Sequence, residues 1–362
     1  MNAATRLHEA GQSLWLDNIT RNLLTSGQLA RYIAEAAVTG LTSNPSIYDK
    51  AITGSGDYDE QARQLAAKGL DEEALFFELA LDDLTKAAGL FEPVWDTTGG
   101  VDGWVSLEVS PRLAHDTKKT VDEAKALHQK ADTPNLFIKV PGTREGLPAI
   151  EELTFEGVPV NVTLLFSAQQ YQDVVGAYLD GLERRKAAGL ELNVPSVASL
   201  FVSRWDHATM DHLPAELKDV LGIAVAKQTY RSYRETLASK RWAKLAAEGA
   251  RPQRLLFAST GTKDSAKPDT YYIEALVAPQ TINTIPPATI EAFVDHATLG
   301  EFPPVAVCDA AQVIATVTAP GVALPALPAR LHRHAARDRH SAREDLMRSI
   351  KSKTAALAGT AP

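Results

Sequence analysis

Eight short apolar runs separated by helix-like stretches, with a polar residue at or just past the end of nearly every run, predict an α/β fold. The form expected is a (β/α)8 barrel of the TIM type with additional helices. Alternation alone also fits a doubly wound open sheet. The polar residues favour the barrel. Asp17, Asn44, Glu108, Lys139, Asn161, Thr163, Ser199 and Lys263 all stand at, within or just past a run. In a closed barrel those strand ends converge on one mouth, whereas an open sheet spreads them along an edge. A chain of 362 residues is long for one ordinary domain but usual for such a barrel, so residues 1–362 are expected to form one domain.

The strands are expected at Ser13–Leu16, Gly40–Thr42, Gly103–Glu108, Leu136–Val140, Val158–Thr163, Ser196–Phe201, Arg254–Ser259 and Thr281–Thr284. Ser26 could cap a helix running through Ala37. Asp57–Gly89 reads as extra helical material, and Glu92–Gly100 as a loop before the third strand. Ala168–Ala188 carries Val174, Ala177, Tyr178 and Leu182 at helical spacing. Pro214–Ala247 is similar, with Leu217, Leu221, Ala224 and Ala226 before Tyr230 and Tyr233. Residues 323–362 differ in character. They are rich in Pro, Ala, Arg and His, and Leu324–Arg343 has a poor apolar period. They are expected to form a peripheral C-terminal helical segment that packs loosely or against a partner.

A composition of 45% hydrophobic and 23% charged residues permits a large core and argues against wholesale disorder. The net charge of −8 disfavours nucleic-acid binding but leaves room for phosphorylated small substrates, since two or three local cations hold one phosphate. The single cysteine, Cys308, allows no intramolecular disulfide and fits a reducing, cytoplasmic setting. Met1-Asn2-Ala3-Ala4-Thr5-Arg6 leads into no apolar signal core, and no run is long enough to span a membrane. The nine histidines show no metal-ligand spacing, and neither a dinucleotide fingerprint nor a P-loop is present. No metal and no membrane partner are expected. Monomer and homodimer both remain open.

Lys139 stands in the apolar strand Leu136-Phe137-Ile138-Lys139-Val140. A buried ammonium there is costly, so its pKa should fall, and a lysine neutral near pH 7 can form an imine with a ketone. The strand alone fits equally an edge lysine whose amine snorkels to water, the commoner state. Asp17 could as easily cap a helix before Ile19-Thr20-Arg21, and Asn44 could simply open an Asn-Pro turn. Asn161 and Thr163 are two apart in a strand and so face the same way. Arg204 could hold a phosphate in bidentate fashion or pair with Asp206.

Lys139-Val140-Pro141-Gly142-Thr143-Arg144-Glu145-Gly146-Leu147, continued by Ala149, Glu152 and Leu153, resembles the active-site signature of the transaldolase family. Thr42-Ser43-Asn44-Pro45-Ser46, Val105-Ser106-Leu107-Glu108-Val109, Asn161-Val162-Thr163-Leu164-Leu165-Phe166-Ser167 and Val197-Ala198-Ser199-Leu200-Phe201 resemble other segments of that family, in order. The resemblance runs from Leu14 to about Phe293 and is nearest to the longer bacterial members. It implies a class I aldol-transfer enzyme without a cofactor, moving a dihydroxyacetone unit between phosphorylated ketoses and aldoses of the non-oxidative pentose phosphate pathway. It implies Lys139 as Schiff-base nucleophile, Asp17 as general base, and Glu108 acting through a water. Thr163, Asn44 and Asn161 would orient that water and the donor. Ser199, Phe201, Arg204 and Lys263 would bind substrate and its phosphate. Many family members carry an arginine where Lys263 stands. The alternatives are an aldolase of the fructose-6-phosphate type that releases free dihydroxyacetone, and a non-catalytic sugar-phosphate-binding barrel.

Overall fold

The computed structural model describes residues 2–214, 217–262, 264, 266–299, 310–318 and 326–359. All eight expected strands are present: β1 (Gln12–Asp17), β2 (Val38–Thr42), β3 (Trp104–Glu108), β4 (Leu136–Pro141), β5 (Val160–Leu165), β6 (Ser196–Phe201), β7 (Gln253–Ala258) and β8 (Thr281–Ile285). Each pairs in parallel with the next, and β8 returns to β1 with Gln12 opposite Thr281, closing the barrel. The open-sheet alternative is thereby removed.

Alternation along the strands divides their side chains between two apolar regions. Leu14, Leu16, Val105, Leu107, Ile138, Val140, Val160 and Val162 face outward into the core shared with the helices. Trp15, Trp104, Phe137, Val197, Leu256 and Ile282 face the lumen and fill its middle. Trp104 and Phe137 stack with ring centres 4.1 Å apart, and Trp15 lies 6.2 Å from Phe137. A Cβ on Gly40 would stand 2.5 Å from the Trp15 indole, so β2 must carry glycine where Trp15 crosses the lumen. Below this plug, Asp102 accepts from Ser13 and from Trp15 Nε1 (3.1 Å), and pairs with Arg254 at 3.1 Å. β5 carries a bulge: its register against β6 shifts between Val162 and Leu165, and Leu164 adopts φ +66°. Leu164 thereby joins the lumen-side cluster.

Several expectations for the helices are corrected. Ser26 ends the helix Arg21–Thr25 instead of starting one. The next helix, Gln28–Glu35, starts from Gly27 in the left-handed region, and Thr20, not Asp17, caps the first. Glu92–Gly100 is largely not a loop, because the helix Glu72–Thr97 runs through Pro93. A proline ring removes one amide and crowds the carbonyl four residues back, here Gly89. Both residues are exposed, so water can take the freed carbonyl. Ala168–Ala187 forms as expected, capped by Ser167. Pro214–Ala247 is not continuous: Leu221–Leu237 is one helix and Lys240–Ala246 a second, restarted by Ser239, which accepts from the Trp242 amide.

The C-terminal segment is helical as expected, but it does not pack loosely. Leu327–Gly359 is one helix of 33 residues, docked on the barrel. Its inner stripe is Leu327, Leu331, Ala335, Arg339, Arg343, Leu346, Met347 and Ile350, which recurs at three- and four-residue steps. Two of those positions are arginines, and they hide the period from a count of apolar residues. Arg343 is 1% exposed; its guanidinium lies over the rings of Phe76 (4.1 Å) and Phe77 (4.8 Å) and donates to Glu73 at 2.9 Å. Lys353 donates to the carbonyls of Ile52 and Ser55, both at 2.7 Å. No helix among the described residues is long and apolar enough to cross a membrane.

Gly40→Ala is expected to destabilise the fold by about 1–3 kcal/mol through overpacking against Trp15. Urea unfolding of the variant checks this, and Trp15→Phe in the same chain should recover part of the loss.

Candidate active site

The register of the closed barrel sets Glu108, Lys139 and Asn161 side by side on β3, β4 and β5, all facing the lumen above the aromatic plug. On the opposite wall, Asp17 of β1 pairs in register with Thr42 of β2. The Thr42 hydroxyl donates to Asp17 Oδ1 at 2.8 Å and lies 2.7 Å from the hydroxyl of Thr284 on β8. A cavity of about 240 Å³ opens between these strand ends. Asp17, Thr42, Asn44, Lys139, Ser199, Phe201 and Arg204 line it, with Ser259 and Thr284.

Lys139 is 4% exposed, so the snorkelling alternative fails. Its amine donates to the carbonyl of Ser43 at 3.3 Å and stands 3.8 Å from Glu108 Oε2. Burial drives its pKa below the usual lysine value. Glu108 opposes this shift, Arg339 adds to it, and Asp17 opposes it. The contact with Glu108 is at the outer limit of an ion pair, and burial outweighs it. Glu108 is itself 8% exposed, not on a solvated face. Its Oε2 and the Oγ1 of Thr163 are buried without a hydrogen-bond partner among the described residues, two polar atoms awaiting a donor or acceptor. Asn161 is held on both sides, donating to Ser106 Oγ at 3.1 Å and accepting from Ser199 at 2.7 Å.

Asn44 lines the cavity and also caps the helix Pro45–Gly54, accepting from the Ile47 amide at 3.2 Å, so the Asn-Pro turn and the site role share one residue. Arg204 does not pair with Asp206. Asp206 accepts instead from the Gly222 amide and the Tyr272 hydroxyl. Arg204 pairs with Asp338 of the C-terminal helix at 2.5 Å, and both line the cavity. Phe201 packs on Phe166, ring centres 5.6 Å apart. Lys263 lies outside the described residues.

Sequence reasoning missed Thr42, Ser106, Ser259 and Thr284, which complete the polar ring, although all four fall in segments singled out as strands. It also missed Arg339 and Asp338, which no strand pattern could reveal. A larger groove of about 720 Å³ runs outside Glu108 beneath the C-terminal helix and shares Arg339 and Leu164 with the smaller cavity. A cavity of about 610 Å³ lies at the opposite, N-terminal end of the strands. Among the described residues no three His, Cys, Asp or Glu side chains are placed to hold a metal ion.

The transaldolase/fructose-6-phosphate aldolase family model matches residues 14–350. The chain belongs to that family. The match continues past Phe293, where the sequence motifs stop, and takes in most of the C-terminal helix. The chain is similar to a transaldolase of Saccharopolyspora erythraea, 45% identical over 352 residues that cover 95% of this chain and 96% of the relative. It is also similar to transaldolases of Acidothermus cellulolyticus (48% identical, 80% of each chain) and Thermobifida fusca (48% identical, 81% of this chain and 82% of the relative). Transaldolase relatives of this likeness and coverage make the chain an enzyme of the transaldolase type.

A lysine with a depressed folded pKa weakens the fold at pH values below that pKa. The penalty fades as the pH rises toward the ordinary 10.5, where the unfolded chain also loses the proton. Lys139→Met is therefore expected to be more stable than the parent near neutral pH, the gain shrinking toward alkaline pH. Urea unfolding of both proteins at about pH 6, 8 and 10 measures it; a difference that does not change with pH would mean a fully charged lysine.

Proposed function

We propose that this chain transfers a dihydroxyacetone unit from sedoheptulose 7-phosphate or fructose 6-phosphate to glyceraldehyde 3-phosphate or erythrose 4-phosphate, through a Schiff base on Lys139. The observation that carries the reading is a lysine amine buried in the barrel mouth beside Glu108, with Asp17 across the same cavity. Its neutral form attacks the ketose carbonyl carbon, and the carbinolamine loses water to give the imine. Asp17 accepts the proton of the C4 hydroxyl as the C3–C4 bond breaks and the aldose phosphate leaves. The bond's electron pair remains as the enamine. An acceptor aldehyde then adds at that carbon, and Asp17 returns the proton to the new hydroxyl. The water lost and regained passes between Glu108 and Thr163, a role supported by their unpartnered oxygen atoms. Asn161 and Asn44 orient the donor's hydroxyls, with Ser199 fixing the Asn161 amide. The covalent intermediate implies ping-pong kinetics, and the imine itself serves as electron sink, so no cofactor enters.

The substrate phosphate is assigned to Arg204 and Ser259, with Phe201 completing that end. A phosphate arriving at Arg204 would exchange with Asp338. The enzyme would act as one domain, residues 1–362, in the cytosol, a setting that the single cysteine also fits.

Borohydride reduction in the presence of fructose 6-phosphate is expected to leave a dihydroxyacetone adduct on Lys139, read by peptide mass. An adduct elsewhere, or none while transfer persists, defeats the mechanism. Lys139→Arg should keep the melting temperature within a few degrees yet lower transfer by about a thousandfold or more, because a guanidinium cannot become a neutral nucleophile. Free dihydroxyacetone accumulating from fructose 6-phosphate without acceptor, as fast as transfer with one, would instead favour the aldolase reading.

A further inference from the structure

A buried lysine 3.8 Å from a buried carboxylate has an obvious low-energy state, the ion pair, in which the amine keeps its proton. Imine formation needs the amine without that proton. With only these two groups in the lumen wall, an unprotonated lysine would leave Glu108 as an uncompensated buried charge. The third charge comes from outside the barrel. Arg339, on the inner stripe of the C-terminal helix, has a side chain only 14% exposed, and its Nε stands 3.7 Å from Glu108 Oε1, the oxygen not turned to Lys139. It also lines the catalytic cavity. Its neighbour Asp338 does not cancel it, because Asp338 pairs with Arg204.

We infer that Arg339 is a positioning residue for the Lys139 reaction, a permanent cation that compensates Glu108 so that the lysine is not the group required to do so. The inference rests on the Schiff-base reading. The charged groups facing Lys139 are Glu108 from β3, Asp17 from β1 and Arg339 from the helix; the carbonyl of Ser43 is its hydrogen-bond acceptor. Of these, only Arg339 repels an ammonium. Removing its charge lets Lys139 hold its proton to higher pH in partnership with Glu108. An arginine does not titrate in the range where the enzyme works, so this compensation stays constant as pH changes.

The test is the pH profile of kcat/KM for fructose 6-phosphate in the full chain and in Arg339→Met and Arg339→Lys, with thermal melts of each. The rate follows the neutral fraction of Lys139, so it falls on the acid side. In Arg339→Met the acid limb is expected to move up by about one pH unit or more, with roughly tenfold lower kcat/KM on that limb for each unit. Arg339→Lys, which keeps the charge, should restore the parent limb. A limb in Arg339→Met that coincides with the parent's, with activity reduced equally at every pH, overturns the inference and leaves Arg339 a packing residue. Should Arg339→Met fail to fold, Arg339→Lys still decides. A limb displaced upward as far as about one unit, despite the retained charge, overturns it; a limb at the parent's position supports it. Borohydride trapping on the parent separates the two levels: an adduct on Lys139 with an unmoved limb defeats only the role of Arg339, whereas no adduct defeats the Schiff-base reading itself.

Discussion

Removing an ammonium from water costs several kcal/mol, and a barrel lumen returns that energy only if it offers the amine a well-placed counter-charge. Here the floor under Lys139 is aromatic. Phe137 lies two residues earlier on the same strand and face, stacked on Trp104, with Trp15 alongside. In that floor Trp15 crosses the lumen over Gly40, and it is anchored from below by Asp102 and Arg254. The burial of the amine therefore begins with a glycine two strands away and an ion pair at the far end of the barrel. Counter-charge is present but rationed: Glu108 sits at the limit of contact, and its other oxygen faces an arginine.

The mouth is assembled from segments far apart in the chain. β1, β3, β4 and β5 each supply one or two polar side chains, and the register of a parallel barrel, not any local motif, sets them at one height. The bulge in β5 adds Leu164 to the same wall. Polar residues that would each be costly alone satisfy one another in a ring from Ser106 through Asn161 to Ser199, and from Asp17 through Thr42 to Thr284. The exceptions are Glu108 Oε2 and Thr163 Oγ1, both beside the lysine's strand.

Much of this was legible in the sequence because strand signals are short and local. Each run of β-formers declared itself, and the period of two put Asn161 with Thr163 on a shared face. Interruptions were legible only where the breaking residue acts alone. Pro93 looked like a helix end, yet the exposed, side-chain-free Gly89 behind it lets the helix pass. Ser26 looked like a start, but the left-handed Gly27 took that role. The C-terminal helix misled for a deeper reason. Its inward face uses Arg343 as an aromatic-stacking residue and Arg339 as a charge donor, and hydrophobic periodicity cannot register either. What an arginine faces depends on tertiary partners more than two hundred residues away, such as Glu73 and Glu108.

That helix also sets a timetable for the molecule. Asp17 leaves the ribosome early, and every strand of the barrel precedes Leu327. Arg339 and Asp338 emerge after the ring they complete has been made. Until they emerge, Glu108 lacks Arg339 and Arg204 lacks Asp338. A ribosome that stalls or a protease that clips ahead of Asp338 would therefore take Asp338 and Arg339 from the mouth and uncover Phe76 and Phe77, over which Arg343 lies.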